Sequence, residues 1–395
     1  MGRFAFVLLL AGCYEPGALP CGPGEQCTPI GDGPPGDGEP MPDSHVIGDA
    51  PAGAPCAGAL NGLLGEICRD PTEPFNVMAN LPFDTTDDER CDPTADNFCL
   101  VAATSIQIEG TLSVTGSRPL VLWSATTIIV DGTIDASSRR TVSPKLGPGA
   151  NYTGCTVVNG DQGGGLPDFG SGGAGGGYAT AGGSGGEGAG NNTVVMTSGT
   201  SPMQPVGLRG GCAGGAGGGL GQLTPGDGGG AVYLMAASIE VNGIITVNGA
   251  GGGGGVGVAN IAGGGGGGGS GGMIGLDAAT VTLDTAMLAA LGGGGGSGGF
   301  AASNSSMAGS AGSDPGFDPP SVAPGGPQTA NMNGGGTGSA LDGVVVGDGG
   351  NATTGAQMTS RGGGGGGGAA GYIRVFASSL QQNLSNVAPP LEVGP

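Results

Sequence analysis

The chain is poor in what most binding and catalytic sites are made from. Of 395 residues, one is histidine and one is tryptophan, aromatics make up 4% and charged residues 10%. Lys145 is the single lysine, and Lys and Arg together number 10 against 31 Asp and Glu, a formal charge of −21. A nucleic-acid or anionic-lipid surface needs a basic patch, so neither is expected as a partner. The histidine, His45, stands alone in a Pro/Gly-rich stretch, which speaks against a metal or general-base role. Large apolar side chains are also too few for a broad close-packed core. Whatever core exists must be narrow and built from a few concentrated segments.

What the chain has is glycine, 98 residues of it. That share is far above the ordinary composition of a globular domain. Between the glycine runs lie short apolar segments, and the clearest is 231–249, AVYLMAASIEVNGIITVNG. Val232, Leu234 and Ala236 alternate as a half-buried strand requires. The phase then slips, resumes at Ile239 and Val241, slips again at Asn242-Gly243, and resumes at Ile245 and Val247. One straight strand keeps one phase, because a one-residue slip turns its apolar set to the wrong face. Two slips therefore mean two corners, and Gly243 stands where a corner needs positive φ or close packing.

The same pattern falls on 119–137, with Val121, Trp123, Ala125, Ile128, Val130, Ile134 and Ala136 as the inward set and Trp123 as core packing. It falls on 101–116 through Val101, Ala103, Ile106, Ile108, Leu112 and Val114. It recurs at Ile274, Leu276, Ala278, Val281, Leu283, Met287 and Ala289, and decays after Ile373, Val375, Ala377 and Leu380. A sandwich or barrel would explain alternation but not the repeated corners. The expectation is an all-β parallel β-helix, a solenoid of about five coils with an atypical last coil. Glycine-rich excursions at 138–230, 250–272 and 292–370 leave it. Polyglycine forms extended three-residue-per-turn helices that lie close and bond laterally. Part of each excursion is expected to form such polyglycine II-like layers, with 301–345 an exposed loop.

The start of the chain, MGRFAFVLLLAGC, places one arginine before an apolar run too short to span a bilayer. Leu10-Ala11-Gly12-Cys13 resembles the bacterial lipobox, which implies a signal peptide over 1–12 and lipidation of Cys13. Tyr14 follows the cysteine, and the aspartate that retains such proteins at the inner membrane is absent. The expected location is the bacterial outer membrane or cell surface. Residues 13–80 read as a tether.

Eight cysteines remain, an even number that suits disulfides in an exported chain. Sequence neighbours suggest Cys21–Cys27, Cys56–Cys68, Cys91–Cys99 and Cys155–Cys212, among many open connectivities. Zinc is disfavoured, since the spacings are not CxxC and histidines are lacking. Residues 81–99 read as an acidic cap. Asp84, Asp87, Asp88, Asp92 and Asp96 offer oxygen ligands that can hold calcium, though without an EF-hand pattern, and a solvated acidic loop is the plainer reading.

Motifs of catalysis are weak. GxSxG occurs at Ser184 and Ser270, but a nucleophile elbow needs a histidine. Asp131, Asp135, Asp277 and Asp284 could supply a carboxylate pair of the glycosidase kind. Turn chemistry explains corner aspartates as well. Outward threonines Thr127, Thr280 and Thr282 are too few to favour an ice- or crystal-binding face.

The lipobox, the Pro/Gly tether, the acidic cysteine segment, SIQIEGTLSVTGSRPLVL, IIVDGTIDASS and the glycine-bounded strands together resemble glycine-rich surface lipoproteins of myxobacterial type. The likeness covers most of the chain and carries over no functional residues. The glycine share is also similar to that of mycobacterial PGRS proteins, whose N-terminal domain has no counterpart here. The resulting expectation is a non-enzymatic, lipid-anchored structural or adhesive protein that needs no cofactor. It would meet the membrane through its anchor, and surface glycans or other cell-surface proteins through its excursions. The alternatives are a carbohydrate-active β-helix enzyme and an ice- or crystal-binding protein.

Overall fold

Strands in this chain stack by sequence-equivalent residues. In the computed structural model Ala231–Val241 pairs in parallel with Met273–Asp284, which pairs in parallel with Tyr372–Asn383. The structure describes residues 53–58, 62–140, 144–161, 169–188, 200, 207–219, 224–258, 261–302, 305–317, 320–329, 332–343, 346–347, 360–383 and 385–394. Cys13, Cys21, Cys27 and His45 lie outside them, as do the signal-peptide residues and most of the segment read as a tether. The described residues belong to one unit, Ile47–Pro395, and include no helix.

Two parallel sheets carry the core. In one, Leu81–Asp84, Thr111–Thr115, Thr133–Asp135, Ile244–Thr246, Met287–Ala289 and Asn386–Ala388 follow one another in space. In the other, the long strands are met by pairs of shorter ones. Leu120–Ser124 and Thr127–Val130 both lie against Ala231–Val241, and Cys99–Ala103 and Ile106–Ile108 lie behind them. Parallel pairing begins at Phe75–Val77, inside the segment the sequence assigned to the tether.

The inward columns hold β-branched and leucine side chains, as a pleated buried surface favours. Ile106, Ile128, Ile239 and Val281 form one column, and Val101, Leu122, Leu234, Leu276 and Val375 another; each of these is at most 4% exposed. Each such side chain contributes about 1.5–3 kcal/mol by leaving water. The corner glycines stack too. A Cβ on Gly132 would lie 2.1 Å from the Gly110 carbonyl oxygen, and one on Gly243 would lie 2.0 Å from that of Gly132. Of the two reasons for glycine at this corner, close packing is the operative one.

The inward assignments of two segments are corrected. Leu120 and Leu122, not Val121 and Trp123, join the core of the 119–137 segment, and Ala125 packs on the face of Trp123. Its first bend holds one more residue than the bend after Ala236, so Leu122 pairs with Leu234 while Ile128 still pairs with Ile239. Carrying one offset through the whole segment therefore flips the first strand. Likewise Leu288 and Ala290 replace Met287 and Ala289, because Thr285, at φ 56°, adds a residue at that corner.

The glycine runs are ordered by hydrogen bonds of three-residue period. Gly264, Gly267 and Ser270 donate to Gly218, Gly215 and Cys212. Gly265, Gly268 and Gly271 donate to Gly363, Gly366 and Ala369, and Gly266, Gly269 and Gly272 to Gly253, Ala250 and Val247. Carbonyls of the same run accept from Gly173 and Gly176, from Gly226 and Gly229, and from Gly293, Gly296 and Gly299. The run 263–272 thus bonds outward in three directions and accepts from three more. Ordering glycine is costly in entropy, so such runs persist only when their buried peptide groups find partners. Part of 301–345, expected as an exposed loop, belongs to this network: Gly312, Gly326, Gly335 and Gly338 all donate into it.

Candidate functional site

The acidic cap does not gather its carboxylates. Asp84 accepts the Thr86 amide at 2.9 Å. Asp88 is forked to Arg90 at 2.7 and 2.6 Å, and that guanidinium holds the Asp88 carboxyl below its ordinary range. Arg90 in turn sits 4.7 Å above the Phe83 ring. Asp92 takes the Thr94 amide and hydroxyl at 2.8 and 2.7 Å and Arg69 Nε at 2.9 Å. Burial raises the Asp92 carboxyl, but these donors outweigh it and leave the group below its usual value. Asp87 and Asp96 are exposed. These are turn and cap contacts of Asx type. Among the described residues, the one trio of ligand-type side chains that converges is Cys56, Glu66 and Cys68, within 4.8 Å of one another. The two sulfurs are bonded to each other, so neither is a thiolate ligand. Two further disulfides join Cys91 to Cys99 and Cys155 to Cys212.

Of the four corner and strand aspartates, three are engaged by separate partners and the fourth is exposed. Asp131 accepts from Asn242 at 2.9 Å. Asp135, 5% exposed, binds Arg139 at 2.7 Å and Lys145 at 2.8 Å. Burial lowers the Lys145 ammonium pKa against the pull of Asp135. Asp277, 1% exposed, accepts the Tyr233 hydroxyl proton at 2.9 Å. Asp284 is exposed. Among the GxSxG serines, Ser270 is fully buried; its hydroxyl accepts the Cys212 amide and donates to the Gly271 carbonyl. Asn151, in an Asn-Tyr-Thr triplet, has both side-chain ends bound, to Asp227 and to the Gly228 amide.

Sequence reasoning missed an aromatic face. Because 120–124 turns opposite to expectation, Trp123 lies on the outer side of the sheet, in one cluster with Tyr233, Met235 and Phe376. Trp123 and Tyr233 are fully buried there beneath residues 53–58 and 62–68. The indole donates to the Ile67 carbonyl at 2.8 Å, and the Leu63 amide donates to the Tyr233 hydroxyl at 3.1 Å. Beside it, a shallow cavity of about 230 Å³ is lined by Arg374, Phe376, Glu392, Val393 and Gly394. Arg374 bridges to Glu392 at 2.8 Å, and Val393 is 60% exposed.

A row of outward hydroxyls also emerges: Thr127, Ser238, Thr280 and Ser379 align across successive strands. The neighbouring outward row, Ile129, Glu240, Thr282 and Gln381, does not continue the pattern. These features define an all-β protein of parallel sheets with a hydrogen-bonded glycine network. In comparison with known proteins, no protein family, curated protein or solved structure matches the chain.

Proposed function

We propose that the chain is an exported, lipid-anchored, non-enzymatic protein of the bacterial outer membrane or cell surface, with a structural or adhesive role. In this reading the parallel ladders are the coils of a β-helix, and the glycine runs are a polyglycine II-like bundle standing on it. Cys13 carries the lipid, and the residues that precede the first coil link it to the scaffold. The likeness to glycine-rich surface lipoproteins points the same way.

One observation carries the reading: the run 263–272 bonds to neighbouring segments on all sides, largely through backbone groups. A segment so held is a rigid spacer or display surface, and its lack of side chains leaves little with which to do chemistry. Rigid elements present contact surfaces with less ordering cost than loops do. The enzyme alternative rests on fold analogy alone; Asp131, Asp135 and Asp277 lean on separate partners, and Asp284 is exposed. The reading requires no cofactor. Surface glycans and other cell-surface proteins are its natural partners.

Labelling with a palmitate analogue in a bacterial host, beside a Cys13→Ala control, tests the anchor. Incorporation lost in the control, together with proteolysis of the protein on intact cells, supports the proposal. An unlabelled or protease-protected protein refutes the location. Glycan-array binding then addresses adhesion.

A further inference from the structure

Residues 53–58 and 62–68 cover the aromatic face with very little structure of their own. Their ladder has two residue pairs, Cys56 with Cys68 and Ala57 with Ile67, and the disulfide closes the first. An isolated two-stranded ladder is marginal in water, and one this short needs its cross-link. Its fit to the sheet is close: a Cβ on Gly58 would lie 2.3 Å from Met235 Cε. Ala57 is 7% and Ile67 1% exposed on its inner side. None of the parallel ladders of the core runs through this segment. It can therefore leave without breaking them.

Among the described disulfides, this bond is the most accessible. Cys56 is exposed and Cys68 half-buried. Cys91 and Cys99 are 6% and 0% exposed, and Cys155, itself half-buried, is bonded to Cys212, which is 2% exposed. Attack by an external thiolate requires a reachable sulfur.

We propose that Cys56–Cys68 is a redox latch that holds a removable cover over Trp123, Tyr233 and Phe376. A dithiol reductant opens it. One thiolate attacks Sγ of Cys56, Cys68 leaves as a thiolate and takes up a proton, and the second thiolate of the reductant displaces Cys56. The protein gains two electrons and two protons as the reductant closes to its own disulfide. The freed segment loses its hairpin, its contacts from Trp123 and Tyr233 give way, and the aromatic face meets solvent.

Trp123 is the only tryptophan, so its fluorescence reports on this face of the sheet. The full chain is titrated with dithiothreitol, and alkylation with mass analysis identifies which cysteines have opened. A Cys56→Ser/Cys68→Ser variant and a Cys155→Ser/Cys212→Ser variant are measured beside it. Expected are opening of Cys56–Cys68 before Cys91–Cys99 and Cys155–Cys212, a shift of Trp123 emission to longer wavelength, and a several-fold rise in acrylamide quenching. The far-ultraviolet spectrum should not change. The first variant should show the same emission without reductant, and the second should not. Unchanged emission once Cys56 and Cys68 are open, or loss of the far-ultraviolet signal with them, overturns the latch. Opening of Cys91–Cys99 or Cys155–Cys212 first also overturns it.

Discussion

The Tyr233 ring lies over Gly275 of the next strand and reaches Asp277, to which its hydroxyl donates at 2.9 Å. A Cβ at position 275 would sit 2.1 Å from Tyr233 Cδ2. Gly275 is thus the floor on which the tyrosine rests, and Gly275→Ala should lift the ring and part the bond. With a buried charged acceptor at stake, a loss of about 1.5–3 kcal/mol is expected for Tyr233→Phe, measurable by chemical denaturation.

Alkali should find these phenols. Burial, then the Asp277 carboxylate, pushes the Tyr233 phenol far upward, and burial raises Tyr178 to about 12. A free tyrosine ionises near pH 10. Both raised groups therefore stabilise the fold fully below that pH, and their contribution falls as pH rises from about 10 toward the folded values. The expected slope is about 1.4 kcal/mol per pH unit for each buried phenol. Tyr178→Phe should make the decline shallower between pH 10 and 12, read from denaturation midpoints across that window.

The only lysine anchors a buried charge cluster. Lys145 and Asp135 side chains are 11% and 7% exposed, with Arg139 on the same carboxylate oxygen. Asp135→Asn leaves two cations facing a neutral amide and should cost about 3–5 kcal/mol. Pairing it with Lys145→Met should recover part of that loss. A double-mutant cycle gives the coupling, and simple additivity would contradict the cluster.

Glycine positions divide by their surroundings. A Cβ on Gly267 would lie 1.9 Å from the Ala174 carbonyl oxygen, whereas one on Gly207 would meet nothing within 4 Å. Gly267→Ala should destabilise by about 1–3 kcal/mol or more through overpacking. Gly207→Ala should be neutral or gain about 0.4–1 kcal/mol by stiffening the unfolded chain. Thermal melts of the two variants make the comparison.

Much of the β core was legible in the sequence. Its apolar columns at Ile106, Ile128, Ile239 and Val281 are set by alternation and corner spacing alone, and the structure stacks them in that order. What failed was local. A bend longer by one residue reverses Trp123, and no composition signal distinguishes such a bend from its neighbours. Phe75–Val77 and Leu81–Asp84 were hidden among Pro71, Pro74 and Pro82, which read as breakers. The cover over Trp123 was invisible because its apolar content is a few residues, Ala57, Leu63, Leu64 and Ile67, brought to the face by pairing rather than by pattern. The glycine network was readable as a habit of polyglycine, but which run meets which is decided by backbone carbonyls that carry no sequence signature.

Amide hydrogen exchange of residues 264–272 tests the account most directly. If the three-residue network holds, these amides exchange as slowly as those of Val232 and Leu234 in the core strands, since both open only with the whole fold. Exchange of the glycine amides at the rate of an unstructured peptide, while Val232 and Leu234 stay protected, would contradict it.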